Sequence, residues 1–259
     1  MKILRTPESA FINIIDFPFK ENYHTTSDGL RVHYLDEGNK KHPVVLLLHG
    51  EPSWSFLYRS MIPKLIAAGL RVVAPDLVGF GKSDKPAAQS DYTYAKHIDW
   101  MQEVLDHLEL KNINMFIQDW GGLIGLRLLT ANPDNFATVV AANTMLPTGS
   151  VTPPKAFLDW QNFAATSPKF DVATVLQMAT TTTLSEDIVA AYNAPFPTEE
   201  HKAGARVFPA LVPTTENDPE SENNKKAWGV LTQWRKPFLC LFSDQDPITK
   251  GGDQVFQKL

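Results

Sequence analysis

One cysteine, Cys240, stands in 259 residues. That excludes a disulfide scaffold and predicts a buried, reduced thiol. Nowhere does an apolar run approach the roughly 20 residues that a membrane-spanning helix needs. Asn13, Asp16 and Lys20 interrupt the apolar residues near the N-terminus that a secretory leader would require. A cytoplasmic protein is therefore expected. Positive charge is in deficit, with 24 Lys and Arg against 29 Asp and Glu. A net charge of −5 argues against nucleic acid or an anionic membrane as partner. No Cys and His cluster has metal-ligand spacing, so neither a metal nor an organic cofactor is expected.

What is present suits one sizeable α/β domain with an insertion. Tyr23–Thr26 and Arg31–Leu35 read as two strands joined by a Ser27-Asp28-Gly29 turn. Val44–Leu48 is a continuous apolar run, as in a strand covered on both faces of a parallel sheet. Arg71–Pro75, Ile113–Ile117 and Ala137–Ala142 repeat the strand signal, and helical spacing separates them. Ser53 is placed to cap a helix running to about Ala68. The alternation predicts a mostly parallel, doubly wound sheet with ligands bound beyond the strand carboxyl ends. From Pro147 to Asn224 prolines and threonines crowd in and no buried strand is expected. The predicted organisation is a first core segment (1–146), a helical cap (147–224) and a second core segment (225–259).

The chain is organised around Asn114-Met115-Phe116-Ile117-Gln118-Asp119-Trp120-Gly121-Gly122. A strand ends in a sharp turn and a helix opens at two glycines, with Asp119 at the apex. A carboxylate there is already ionised at neutral pH and can attack a saturated carbon without a base. The ester so formed needs a base-activated water to cleave it. The plainer reading is that Asp119 only caps the following helix.

Three stretches together resemble the haloalkane dehalogenases: His49-Gly50-Glu51-Pro52-Ser53-Trp54, the run from Asp76 to Pro86, and Gln118-Asp119-Trp120-Gly121-Gly122. They are most similar to the branch with two halide-binding tryptophans and an aspartate as third triad member. The resemblance implies an α/β-hydrolase fold, Asp119 as nucleophile, and Asp246 as triad acid with Asp244 as fallback. It also implies Trp120 and Trp160 as indole N–H donors to the halide. The Glu51 and Trp120 N–H groups would form an oxyanion hole, and the Glu51 side chain would position the hydrolytic water. The implied reaction is hydrolysis of a haloalkane to alcohol and halide, with water as the only co-substrate and a monomeric enzyme.

The resemblance fails at one point. The catalytic histidine should follow the acid, yet the seven histidines stand at 24, 33, 42, 49, 97, 107 and 201. The last strand and helix of the fold are also missing by this reading, which treats the sequence as a truncated form of a complete enzyme. Such a chain is expected to be inactive or to stop after one turnover. Two rival readings are an epoxide hydrolase and a non-catalytic ligand-binding α/β-hydrolase protein. The first would want cap tyrosines, and the predicted cap holds only Tyr192.

Overall fold

The computed structural model describes residues 1–259. The chain runs β1 (Ile3–Leu4), β2 (Asn22–Thr25), β3 (Arg31–Glu37), β4 (Val44–Leu48), α1 (Ile62–Ala67) and β5 (Arg71–Pro75). Then come β6 (Lys85–Pro86), α2 (Tyr94–His107), β7 (Ile113–Gln118), α3 (Trp120–Ala131) and β8 (Phe136–Ala142). Five α-helices follow with no strand among them: α4 (Lys155–Thr166), α5 (Val172–Met178), α6 (Glu186–Asn193), α7 (Ala203–Leu211) and α8 (Ser221–Leu231). The chain returns to the sheet in β9 (Phe238–Leu241) and ends with α9 (Asp253–Phe256).

The seven-stranded sheet has the order β2-β3-β5-β4-β7-β8-β9. Only β2–β3 and β3–β5 pair antiparallel; every pairing from β5 to β9 is parallel. Each of the five residues of β4 is buried, as its unbroken aliphatic sequence requires under helices on both faces. Helix α2 buries Trp100, Met101, Val104 and Leu105, and its N-terminus is capped by Thr93, whose Oγ1 accepts the Lys96 N–H at 3.1 Å. The β4, β5 and β7 carboxyl ends therefore share one rim, as the alternation predicted.

One local expectation is corrected here. Ser53 caps no helix: its Oγ donates to the Gly50 carbonyl at 2.9 Å. The segment forms a 3₁₀ turn at Ser55–Tyr58 and restarts as α1. Pro63 explains the restart, because it has no N–H with which to continue a preceding helix. Near the N-terminus, β1 pairs antiparallel with β6. Residues 224 and 225 both lie in α8, which packs on α3. Arg127 of α3 donates to Glu220 at 2.7 Å and to Asn224 at 3.1 Å.

Strand β9 forms one edge of the sheet. Its residues alternate between partly buried (Phe238, Cys240) and exposed (Leu239, Leu241). Cys240 is thus half-buried rather than sealed, and burial raises its thiol pKa.

Candidate active site

The apex residue Asp119 has φ 52° and ψ −126°, a backbone conformation that a non-glycine residue adopts only under constraint. The constraint is visible. Its N–H donates to the Asn143 carbonyl at 3.1 Å, and its carbonyl accepts the Thr144 hydroxyl at 2.7 Å and the Gly122 N–H at 2.8 Å. Helix α3 crosses so near β4 that a Cβ at Gly121 would lie 2.0 Å from the Leu48 carbonyl oxygen.

Ile117 occupies the place where the elbow pattern usually has glycine. Its bulk is accommodated one turn into the helix. A Cβ at Gly125 would stand 2.7 Å from Ile117 Cγ2 and 3.0 Å from Met115 Sδ. Gly125→Ala should therefore destabilise the chain by about 1–3 kcal/mol in chemical denaturation. Ile117→Ala removes the obstructing methyl, so the double variant should cost less than the sum of the two single changes. Strict additivity would show that Gly125 does not compensate for Ile117.

The Asp119 side chain makes no capping hydrogen bond to α3. Instead Oδ1 accepts the Glu51 N–H at 2.7 Å. Burial raises the Asp119 pKa to about 6, against the hydrogen bonds from the Trp120 and Glu51 N–H groups, and repulsion from Asp246 adds to the rise. The side chain of Glu51 is largely buried, with Oε1 sealed from solvent and without a hydrogen-bond partner. Burial, then the charge of Asp119, holds its pKa well above the usual carboxyl range.

Six tryptophans compete for the role of a free N–H donor, and their partners separate them. Trp54 donates to Ala191 O at 3.1 Å, Trp100 to Asp28 Oδ2 at 3.0 Å and Trp228 to Leu146 O at 2.8 Å. Trp234 keeps a sealed, unpartnered N–H away from solvent. That leaves Trp120 and Trp160. The Trp120 ring is buried, stacked on Phe208 of α7 (4.5 Å between centroids, 12° between planes) and edge-on to Tyr94 at 5.1 Å. Trp160 lies on α4 beside Phe163 and Phe170, at 5.9 and 5.8 Å. Helices α4 and α7 pack on each other.

Asp246 lies just beyond β9. Its Oδ2 accepts Asn143 Nδ2 at 2.8 Å and the Thr249 hydroxyl, and its Oδ1 accepts the Ile248 N–H at 2.8 Å. Burial opposes ionisation, but these hydrogen bonds outweigh it and the Asp246 pKa is lowered. Asp244 is exposed and accepts no such set. His49, the histidine in the motif, has both ring nitrogens engaged. Nδ1 donates to the Gly50 carbonyl at 2.9 Å, and Nε2 accepts the Leu77 N–H at 3.0 Å.

Sequence reasoning missed Asn143 and Thr144. Asn143, at φ 40°, binds the Asp119 N–H through its carbonyl and Asp246 through its side chain. It therefore ties the two carboxylates together. The one signal was position: both residues directly follow a strand that neighbours the elbow strand.

Fold and site define a class: an α/β-hydrolase with an aspartate at the elbow. Residues 43–254 match the family described as alpha/beta hydrolase fold. The haloalkane dehalogenase of Psychrobacter cryohalolentis is 58% identical, with 100% of this chain and 87% of that protein covered. That of Mycolicibacterium paratuberculosis is 48% identical at the same coverage. Among solved structures, a tetrameric haloalkane dehalogenase from Paraglaciecola agarilytica superposes with a TM-score of 0.94 at 35% identity, covering 100% of this chain and 88% of that one. The chain belongs to the haloalkane dehalogenases. These relatives favour neither the epoxide hydrolase nor the non-catalytic binding protein.

Proposed function

We propose that this chain cleaves the carbon–halogen bond of a small haloalkane by direct attack of Asp119. The carrying observation is the carboxylate at a strained elbow, making no side-chain cap bond to its helix and held by the Glu51 N–H. With Oδ1 held by that N–H, Oδ2 is the attacking oxygen. It forms an ester to the alkyl carbon while the halide leaves with the bonding electrons. Trp120 and Trp160 receive the halide, because theirs are the indole N–H groups not spent on the protein or sealed in its core. An indole donates without accepting, which suits a weakly basic anion in an apolar site.

For ester hydrolysis the Glu51 and Trp120 N–H groups stabilise the oxyanion on Oδ1. Asp246 is assigned as the acid of the triad. Cleavage of the ester needs a general base to activate the attacking water, a contribution of typically ~10²- to 10⁴-fold. The helices between β8 and β9 supply the cap, with α8 belonging to the core side. We place the reaction in the cytoplasm, which the single cysteine supports; no helix is long and apolar enough to cross a membrane. No feature of the chain argues for a monomer, and the Paraglaciecola relative is described as tetrameric. Sedimentation of the purified chain decides its own state.

Attack requires the ionised form of Asp119, whose pKa lies at about 6. The initial rate of bromide release from a short bromoalkane should rise as pH increases through about 6 and level off above it. A rate that is flat from pH 4.5 to 8, or that falls with rising pH, would contradict Asp119 as nucleophile.

A further inference from the structure

The run from Asp76 to Pro86 has no part in the reaction described above, yet it grips the segment that carries the Glu51 N–H at both ends. At one end His49 Nε2 accepts the Leu77 N–H at 3.0 Å; at the other, Asp76 Oδ1 accepts the Ser55 N–H at 2.8 Å. Between those anchors Glu51 donates to Asp119 Oδ1 at 2.7 Å. The segment lies close against the elbow, since a Cβ at Gly50 would stand 2.3 Å from Asp119 Oδ1. His33, His49, Ser55 and Asp76 are all fully buried. Asp76 Oδ2 accepts His33 Nδ1 of β3 at 2.7 Å and the Lys82 N–H at 2.9 Å, so one carboxylate joins three stretches of chain. Burial opposes its ionisation, but interaction with His33 and His49 and the Lys82 N–H outweigh it, and the Asp76 pKa lies below the ordinary carboxylate range. Lys85, whose Nζ donates to the Gly81 and Ser83 carbonyls at 2.7 and 2.9 Å, also acts on Asp76.

Resting on the reading of Asp119 as nucleophile, we propose that Asp76 is a positioning residue of this active site: through Ser55 it holds the Glu51 N–H on Asp119. That N–H favours the ionised carboxylate, leaves Oδ2 as the free oxygen, and faces the oxyanion when the ester is cleaved. A backbone donor keeps its working place, to within about 0.5 Å, only when packed and hydrogen-bonded groups behind it are themselves fixed. Ser53 does not supply this support, because its N–H and its Oγ both go to the Gly50 carbonyl within the same segment. Asp76 does, because it is anchored on β3 and on its own loop. Charge acting at a distance would have the opposite sign. Neutralising a nearby carboxylate lowers the pKa of Asp119, whereas loosening the Glu51 N–H raises it.

Two variants cut the link from opposite sides. Asp76→Asn keeps the side chain's size, but its amide nitrogen cannot accept the Lys82 N–H. Ser55→Pro removes the N–H that Asp76 accepts and retains the Asp76 charge. Ser55 opens a 3₁₀ turn after an extended residue, a place that proline fits. In both, the pH midpoint of bromide release from a short bromoalkane should rise from about 6 by roughly one unit, the equivalent of weakening one charge-assisted hydrogen bond. Ser55→Pro should show at least as large a rise as Asp76→Asn. Asp36→Asn is the control: that side chain is also buried and pairs with Arg71 at 2.7 and 2.9 Å, so its loss destabilises the chain and should leave the midpoint in place. Glu51, Tyr58 and Asp246, the titratable groups that interact with Asp119, are unchanged in all of these chains. A midpoint that stays or falls in Asp76→Asn and Ser55→Pro would overturn the proposal, as would an equal rise in Asp36→Asn. Should Asp76→Asn fail to fold, Ser55→Pro decides alone. Carbon-13 NMR titration of the Asp119 carboxyl, assigned with Asp119→Asn, makes the same comparison without turnover. The expected shift in a chain that releases no bromide would support the positioning role and refute the alkylation reading, so the two failures are distinct.

Discussion

Asp119→Ala should leave a folded chain that neither takes up an alkyl group nor releases halide, a loss on the order of 10⁴-fold or more. The size of the effect follows from the lack of a substitute. Glu51 is held neutral by burial beside the elbow. Asp246 is ionised but has three hydrogen bonds, from Asn143, Thr249 and the Ile248 N–H, competing for its lone pairs. Neither sits at a strand-to-helix apex. The variant should also fold well, because the elbow is held through the Asp119 backbone, from Asn143, Thr144 and Gly122. Adduct mass and released bromide, measured together, check the prediction. An adduct of normal yield in Asp119→Ala would move the nucleophile to another carboxylate.

Trp120→Phe should slow alkylation by about 10²- to 10³-fold, the usual cost of losing one donor aimed at developing negative charge. Phenylalanine keeps an aromatic face for Phe208 and an edge for Tyr94, so the substitution removes chiefly the N–H. Trp228→Phe is the matched control. Its N–H goes to Leu146 O, so the change should cost about 1 kcal/mol of stability and leave the alkylation rate alone. Equal alkylation rates in Trp120→Phe and the unmodified chain would show that the halide is held elsewhere.

Much of this site is written locally, and that part was legible. An apolar strand, two glycines and a helix put Asp119 at an apex without reference to the rest of the chain. The apolar run ending in His49-Gly50-Glu51 put a second strand terminus on the same rim. The missing part was contact between segments distant in sequence. Ile117 breaks the small-residue pattern, and only the packed helix shows Gly125 making room for it. Asn143 and Thr144 looked like ordinary polar residues after a strand, because their work is to hold a loop more than twenty residues away. Helix α8 was hidden by its polar first half, Ser221 to Lys226, and shows its apolar side only against α3. The choice between Trp120 and the other tryptophans needed hydrogen-bond partners, which composition does not contain.

The most direct test of the central claim is the intact mass of the chain after incubation with 1-bromobutane, with bromide measured in the same sample. The account predicts that bromide release passes through one butyl group added per chain, located in a rapidly quenched sample to the peptide carrying Asp119. Bromide released with no butyl group found on that peptide would show that another group attacks the carbon. Neither bromide nor adduct from a folded chain would contradict the reaction itself.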